Sequence, residues 1–160
     1  MYPEPAPMTM VKRTLHVAVP IEKAFQVFVG KMGQWWPASH HIGSEPFSEV
    51  VVEPKVGGRW FERDAKGTEC QWGRVLLYEP PRGLILSWHL QPDWKLDLDP
   101  AKGSEVTLLF VAEGPSTTRL EFEHRYIERH GSEYEKLFAG VDSPEGWTAV
   151  LGSYQELANK

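Results

Sequence analysis

Residues 11–19 alternate along the chain. Leu15, Val17 and Val19 fall on one side and Thr14, His16 and Ala18 on the other, the two-residue period of a half-buried strand. Pro20 interrupts that ladder and suits the first turn of a helix. Ile21, Ala24, Phe25 and Phe28 then recur at helical intervals, and Gly30 ends the segment. A second short helical piece holds Met32, Trp35 and Trp36 before Pro37. Residues 37–46 are rich in turn formers and carry His40, His41 and Gly43. A loop of that length in a compact domain is often functional or mobile.

Further strands are predicted over 47–53, 59–64, 69–78, 84–91, 105–111 and 118–126. They are separated by Gly- and Pro-containing turns at 54–58, 66–67, 80–83 and 114–116. The spacing reads as an antiparallel meander, not as crossover units. Residues 94–104 read as a rim loop, and 129–142 as a short helix or lid around Tyr134, Leu137 and Phe138. The last stretch, 143–158, places Trp147, Val150, Leu151, Tyr154, Leu157 and Ala158 on one helical face. Ser143 is its expected N-cap, with Pro144 at the first helical position and Glu145 in the first turn. Gly146 and Gly152 each cost such a helix about 1 kcal/mol against Ala. One amphipathic helix after a run of strands must bury its stripe on the sheet. A sheet curved around a helix leaves space between them, so a cavity is expected there. Residues 1–9, with three prolines, are expected to form a flexible N-terminal arm, and 10–160 a single domain.

Composition narrows the function classes. The chain is 41% hydrophobic and 24% charged, ordinary for a globular protein, but its seven Trp residues are an excess. Aromatics in that number thicken a core or line a pocket for an apolar ligand. The net charge is −5 and no Lys/Arg block exceeds two residues, so nucleic-acid binding is not expected. Cys70 is the one cysteine, which fits a reducing, cytoplasmic setting. No apolar run reaches the roughly twenty residues of a membrane helix. There is no Gly-x-Ser-x-Gly elbow, phosphate loop or His-Glu-x-x-His, and no cofactor or metal is expected.

The order of strand, two short helices, six strands and long C-terminal helix is the helix-grip arrangement: an α+β fold in which a curved antiparallel sheet of six or seven strands wraps a long helix. The local motifs agree with it. Val19-Pro20-Ile21-Glu22-Lys23-Ala24-Phe25 followed by Trp35-Trp36 resembles the opening of the heat-shock-protein-90 ATPase activator-like family, within the START-related (SRPBCC) superfamily. Val56-Gly57-Gly58-Arg59-Trp60 resembles it too, as does Gly73-Arg74-Val75 leading to Pro80-Pro81 and the run from Leu84 to Trp88. Thr118-Arg119-Leu120 through His124 resembles the last strand of that family, and Gly146-Trp147 with Leu151 its closing helix. The resemblance covers residues 10–158. It implies a cavity beneath the helix that takes lipids, sterols, polyketides or plant hormones, with a minority of members catalysing cyclisation or hydrolysis. The eukaryotic chaperone activator pairs this domain with a separate N-terminal one for which this chain has no room, which counts against chaperone activation.

Individual residues refine that expectation. His124 shares strand parity with Leu120, Phe122 and Tyr126, an apolar face, so it needs a hydrogen-bond partner inside. It is either a satisfied core histidine, the favoured reading, or an anchor for the polar end of a ligand. His40 and His41 are adjacent and point apart, as expected of an exposed pair. Trp72, Arg74, Leu76 and Tyr78 share one parity against Gly73, Val75 and Leu77, and neither face is plainly apolar. An inward Arg74 would need a carboxylate. The expected function is non-catalytic binding of a small hydrophobic or amphipathic molecule by Trp36, Trp60, Trp72, Trp88, His124, Trp147 and Tyr154. The alternatives are an enzyme with His124 as acid or base, and a protein-interaction or chaperone-cofactor module with an apolar patch around 94–98. A homodimer is also left open.

Overall fold

The structure, a computed structural model, describes residues 9–160. Apart from Thr9, the expected arm over 1–9 lies outside the described residues. Seven strands form one curled sheet: β1 Val11–Val17, β2 Phe47–Val52, β3 Arg59–Asp64, β4 Glu69–Glu79, β5 Gly83–Trp88, β6 Ser104–Gly114 and β7 Thr117–Arg125. The order is β1-β7-β6-β5-β4-β3-β2 and every neighbouring pair is antiparallel. The expected meander therefore runs from β2 to β7, and β1 returns to pair beside β7. Helices α1 Ile21–Gly30 and α2 Met32–Trp35 follow β1, and α3 Tyr134–Asp142 and α4 Ala149–Ala158 end the chain. This is the helix-grip arrangement.

Alternation decides which side chains fill the grip. Val106, Leu108 and Phe110 of β6, and Leu120, Phe122 and His124 of β7, are all buried on the concave face. Each large apolar side chain placed there contributes about 1.5–3 kcal/mol. Tyr126 does not join them. β7 ends at Arg125, Tyr126 turns to a left-handed φ of 62°, and its ring lies outside beneath the guanidinium groups of Arg125 and Arg129.

β4 shows why its parity is unreadable. Its register against β3 shifts by a residue at Trp72, and against β5 at Leu76. Each extra residue switches the side that faces in. Trp72, Gly73 and Val75 are buried, Leu76 is exposed, and Tyr78 turns back to meet Phe25 at a ring distance of 5.7 Å. Arg74 lies opposite Arg59, whose own partners are the outer-face carboxylates of Glu53 and Glu69. Phe61, also of outer parity, is buried beneath Arg59 and Arg63, with the guanidinium carbons 4.2 and 5.2 Å from its ring centre.

α1 and α4 lie across the concave face. Phe28 meets Phe110 of β6 and Tyr154 of α4 edge-on, at 5.9 and 5.0 Å. The Tyr154 hydroxyl donates to the Ala24 carbonyl at 2.7 Å, and the Trp35 indole to Val27 at 3.0 Å. Val150, Leu151, Tyr154 and Ala158 are buried as the stripe requires, and Leu157 is half-buried.

One expectation is corrected. The segment 143–158 is not a continuous helix: Pro144–Thr148 forms a wide turn, and α4 starts at Ala149. Gly146 leaves helical geometry (φ −86°, ψ −126°), and a Cβ there would collide with the carbonyl oxygens of Gly140 and Val141. The chain folds back against the end of α3, and packing at that corner overrides helical propensity. Ser143 does not cap the turn with its side chain. Its hydroxyl donates backwards to the Gly140 carbonyl at 2.7 Å.

Candidate functional site

The corner at Gly146 carries Trp147 over the open end of the sheet. A cavity of about 540 Å³ lies between this corner, the loop 37–46 and the far ends of β4 and β5. Trp36, Trp72, Trp88 and Trp147 line it, with Leu90, Ile42 and Val150 between them. The rings pack on one another: Trp36 and Trp72 have centres 4.8 Å apart, Trp88 and Trp147 5.4 Å, and Trp36 and Trp147 6.0 Å. Trp94, 50% exposed, stands at the lip with its benzene ring over Gly140.

All four wall indoles have their N–H groups bonded to protein. Trp36 donates to the His40 carbonyl (3.2 Å), Trp72 to Glu62 (2.9 Å), Trp88 to the Leu90 carbonyl (2.9 Å) and Trp147 to His124 (3.0 Å). Indole is a donor only, so these bonds fix the orientation of each ring. Glu62 is buried, and the oxygen that holds Trp72 also accepts the Ile42 amide at 2.6 Å. One carboxylate thus ties the loop 37–46 to the wall. His40 closes the other side, its Nε2–H donating to the Glu145 carbonyl at 2.6 Å while Nδ1 accepts from Ser39.

Behind Trp147 runs a buried polar chain whose direction follows from its two ends. Trp147 can only donate, so Nδ1 of His124 accepts, and Nε2 of His124 carries the proton given to Ser104 Oγ at 2.7 Å. The Ser104 hydroxyl in turn donates to Nε2 of His130 at 2.6 Å, and Nδ1–H of His130 donates to the Gln91 amide oxygen at 3.0 Å. The Gln91 nitrogen ends the chain on the carbonyls of His89 and Lys102, each at 3.0 Å. Burial, reinforced by neighbouring His130, pushes the pKa of His124 down to about 3. Burial, and then His89, pushes His130 down to about 4. Both rings are neutral near pH 7, as this pattern of donors requires.

A family model described as activator of Hsp90 ATPase homolog 1-like protein matches residues 18–159. The chain belongs to that family. Among solved structures it is similar to an anthrahydroquino-Gama-pyrone synthase, Txn09, complexed with SUM. The identity is 32% over 94% of this chain and 99% of that one, with a TM-score of 0.65. It is also similar to CalC, a self-sacrificing resistance protein from Micromonospora echinospora, at 28% identity over 94% of each chain and a TM-score of 0.67. Protein NE0264 of Nitrosomonas europaea, 16% identical with a TM-score of 0.65, shares the fold. No curated protein matches the chain.

Within this family member, Trp36, Trp72, Trp88 and Trp147 reach the cavity, whereas Trp60, His124 and Tyr154 do not. Trp60 backs the wall, with ring centres 5.3 Å from Trp72 and 6.0 Å from both Trp36 and Trp88, and donates to the Met32 sulfur. His124, 0% exposed with both nitrogens bonded, is the satisfied core histidine. Tyr154 packs deeper, against Phe28 and Trp35. Within 94–98 Trp94 is the one exposed large apolar side chain, next to exposed Lys95; Leu96 bridges to Leu90 and packs on the core. Among the described residues no helix is long and apolar enough to cross a membrane.

Sequence reasoning missed Glu62, Ser104 and His130. Glu62 shares strand parity with Trp60, which was a usable signal. Ser104 falls one residue before the predicted start of β6, on the parity of Val106. His130 sits in the short helical turn Ile127–His130, where no periodicity could have announced it. Cys70 is half-buried, and burial together with the Glu62 charge pushes its thiol up to about 11, which makes it a poor nucleophile.

Proposed function

We propose that residues 10–160 act as one domain that binds a small apolar or amphipathic molecule, without covalent chemistry, in the cavity between the sheet and the 144–150 corner. The observation that carries this reading is the wall itself. Four indoles pinned by their N–H groups leave apolar ring surface around about 540 Å³, within the range of small-molecule sites. Rings held in place before binding lose little freedom when a ligand arrives. The 32% identity with a synthase solved as a complex is consistent with ligand binding at this fold.

The test is titration with pyrene, a neutral fluorophore excited by energy transfer from the indoles. Saturable transfer is expected, and it should be lost in Val150→Trp, which fills the cavity from α4. Absence of saturable transfer in the native protein would refute the reading.

Catalysis is a second reading, favoured by the likeness to the synthase. His124 as its acid or base would require Trp147 to swing aside, because the indole separates that ring from the cavity. Unchanged turnover of a cavity substrate after His124→Phe would eliminate that role.

A further inference from the structure

The orientation of the Trp147 indole is also dictated from the opposite end of its polar chain. Gln91 turns its side-chain nitrogen to the carbonyls of His89 and Lys102, which only accept, so its oxygen is the atom that meets His130. An amide oxygen only accepts as well, so Nδ1 of His130 carries the proton and Nε2 keeps its lone pair. That lone pair takes the Ser104 hydroxyl proton, which leaves the Ser104 oxygen to accept from Nε2–H of His124. Nδ1 of His124 is then bare, and the group that faces it must be a donor. Trp147 is that donor. Gln91 and His130 border a polar depression, formed by parts of 91–102 and by 129–133, that shares no lining residue with the cavity. Ser104 and His124 are fully buried and line neither.

Resting on the cavity reading above, we infer that Ser104 and His130 are positioning residues for the wall indole Trp147: they select the His124 tautomer that this indole requires, although neither reaches the cavity. Neutral imidazole has two tautomers, and only the one with its proton on Nε2 accepts from Trp147. The other sets Nδ1–H against the indole N–H, two donors facing each other across 3.0 Å. Without His130 the Ser104 hydroxyl is free to donate to Nε2 of His124, and the wrong tautomer becomes as well partnered on that side as the right one. The Trp147 indole then loses its polar tie and keeps only its packing, on Phe122 and Trp88 among others. A wall ring that spends less time in its binding orientation lowers the apparent affinity in the same proportion.

His130→Phe, which keeps a ring and removes both nitrogens, tests this in two ways. Without ligand, hydrogen exchange of the Trp147 indole should accelerate about tenfold more than that of Trp35, whose N–H is held by the Val27 carbonyl deep in the core. In pyrene titrations the affinity should fall about three- to tenfold, the range of one neutral hydrogen bond. In a Trp147→Phe background the same substitution should leave pyrene affinity unchanged, because the polar chain no longer reaches the wall. A role in overall stability alone would speed both indoles alike and weaken binding by one factor in both backgrounds. Either of those results, or a Trp147 exchange rate that does not change, overturns the inference. Ser104→Ala breaks the chain one step nearer to the wall and should give the same pattern, and it carries the test should His130→Phe not fold. If the native protein binds no pyrene, the cavity reading falls, and indole exchange alone decides whether the chain positions Trp147.

Discussion

At the scale of single residues, two buried histidines make a pH prediction whose sign is fixed. In the unfolded chain each titrates near its ordinary value of about 6.5. In the fold His124 stays neutral down to about 3 and His130 down to about 4. Between those limits the unfolded chain binds more protons, so stability is complete above about pH 6.5 and falls as pH drops toward 4. His89, also lowered by burial, acts with the same sign. Urea midpoints measured from pH 8 down to 5, above the range where carboxylates contribute, should decline below pH 6.5; a flat profile would contradict the neutral relay. Trp147→Phe tests the same chain from its other end. It keeps an aromatic side chain but removes the donor, leaving Nδ1 of His124 buried and unpaired at a cost of about 1–3 kcal/mol beyond that of the smaller ring, readable by denaturant unfolding. The inward face of His124 was legible from alternation with Leu120 and Phe122. Its partners were not, because Ser104, His130 and Trp147 come from three other segments that only the folded sheet brings together.

Elements show the same division between what spacing encodes and what packing decides. The stripe Val150, Leu151, Tyr154 and Ala158 was legible and is buried. The break before it was not, since Gly146 and Gly152 look alike in a helical pattern. Only the approach of the α3 carbonyls distinguishes them. A Cβ on Gly152 meets nothing within 4 Å, whereas one on Gly146 runs into Val141 and Gly140. Two substitutions of one kind should therefore have opposite signs. Gly152→Ala should stabilise by about 0.5–1 kcal/mol through helix propensity. Gly146→Ala should destabilise by more than that, because backbone must move. Thermal melts of the pair decide it, and equal shifts would mean that the corner is not held by close contact. β4 fails to declare a face for a related reason: its shifts at Trp72 and Leu76 break the two-residue period that a reader of sequence depends on.

For the molecule as a whole, the question is how a cavity stays open beside a sheet that closes on its helices. The sheet and α4 were predicted from periodicity, but neither fixes the third wall, the loop 37–46, which has no periodicity of its own. That wall is held by contacts with other segments: Glu62 of β3 accepts from the Ile42 amide and from Trp72, and the loop's own His40 donates to the Glu145 carbonyl. Glu62→Ala should thus act locally. The sheet keeps its ladders, so far-UV circular dichroism should be unchanged. Ile42 N–H and the Trp72 indole lose their acceptor, at about 1–3 kcal/mol for each buried donor left unpaired. A loss of that size at a loop raises the population of its open form about tenfold or more, because about 1.4 kcal/mol is a factor of ten. Hydrogen exchange over 37–46 should accelerate by at least that factor while exchange in β6 and β7 stays slow, and pyrene binding should weaken in parallel. Unaltered exchange in the loop would show that Glu62 does not hold it. Acceleration throughout the sheet would show instead that this carboxylate supports the whole fold, and that the cavity is not an independently held site.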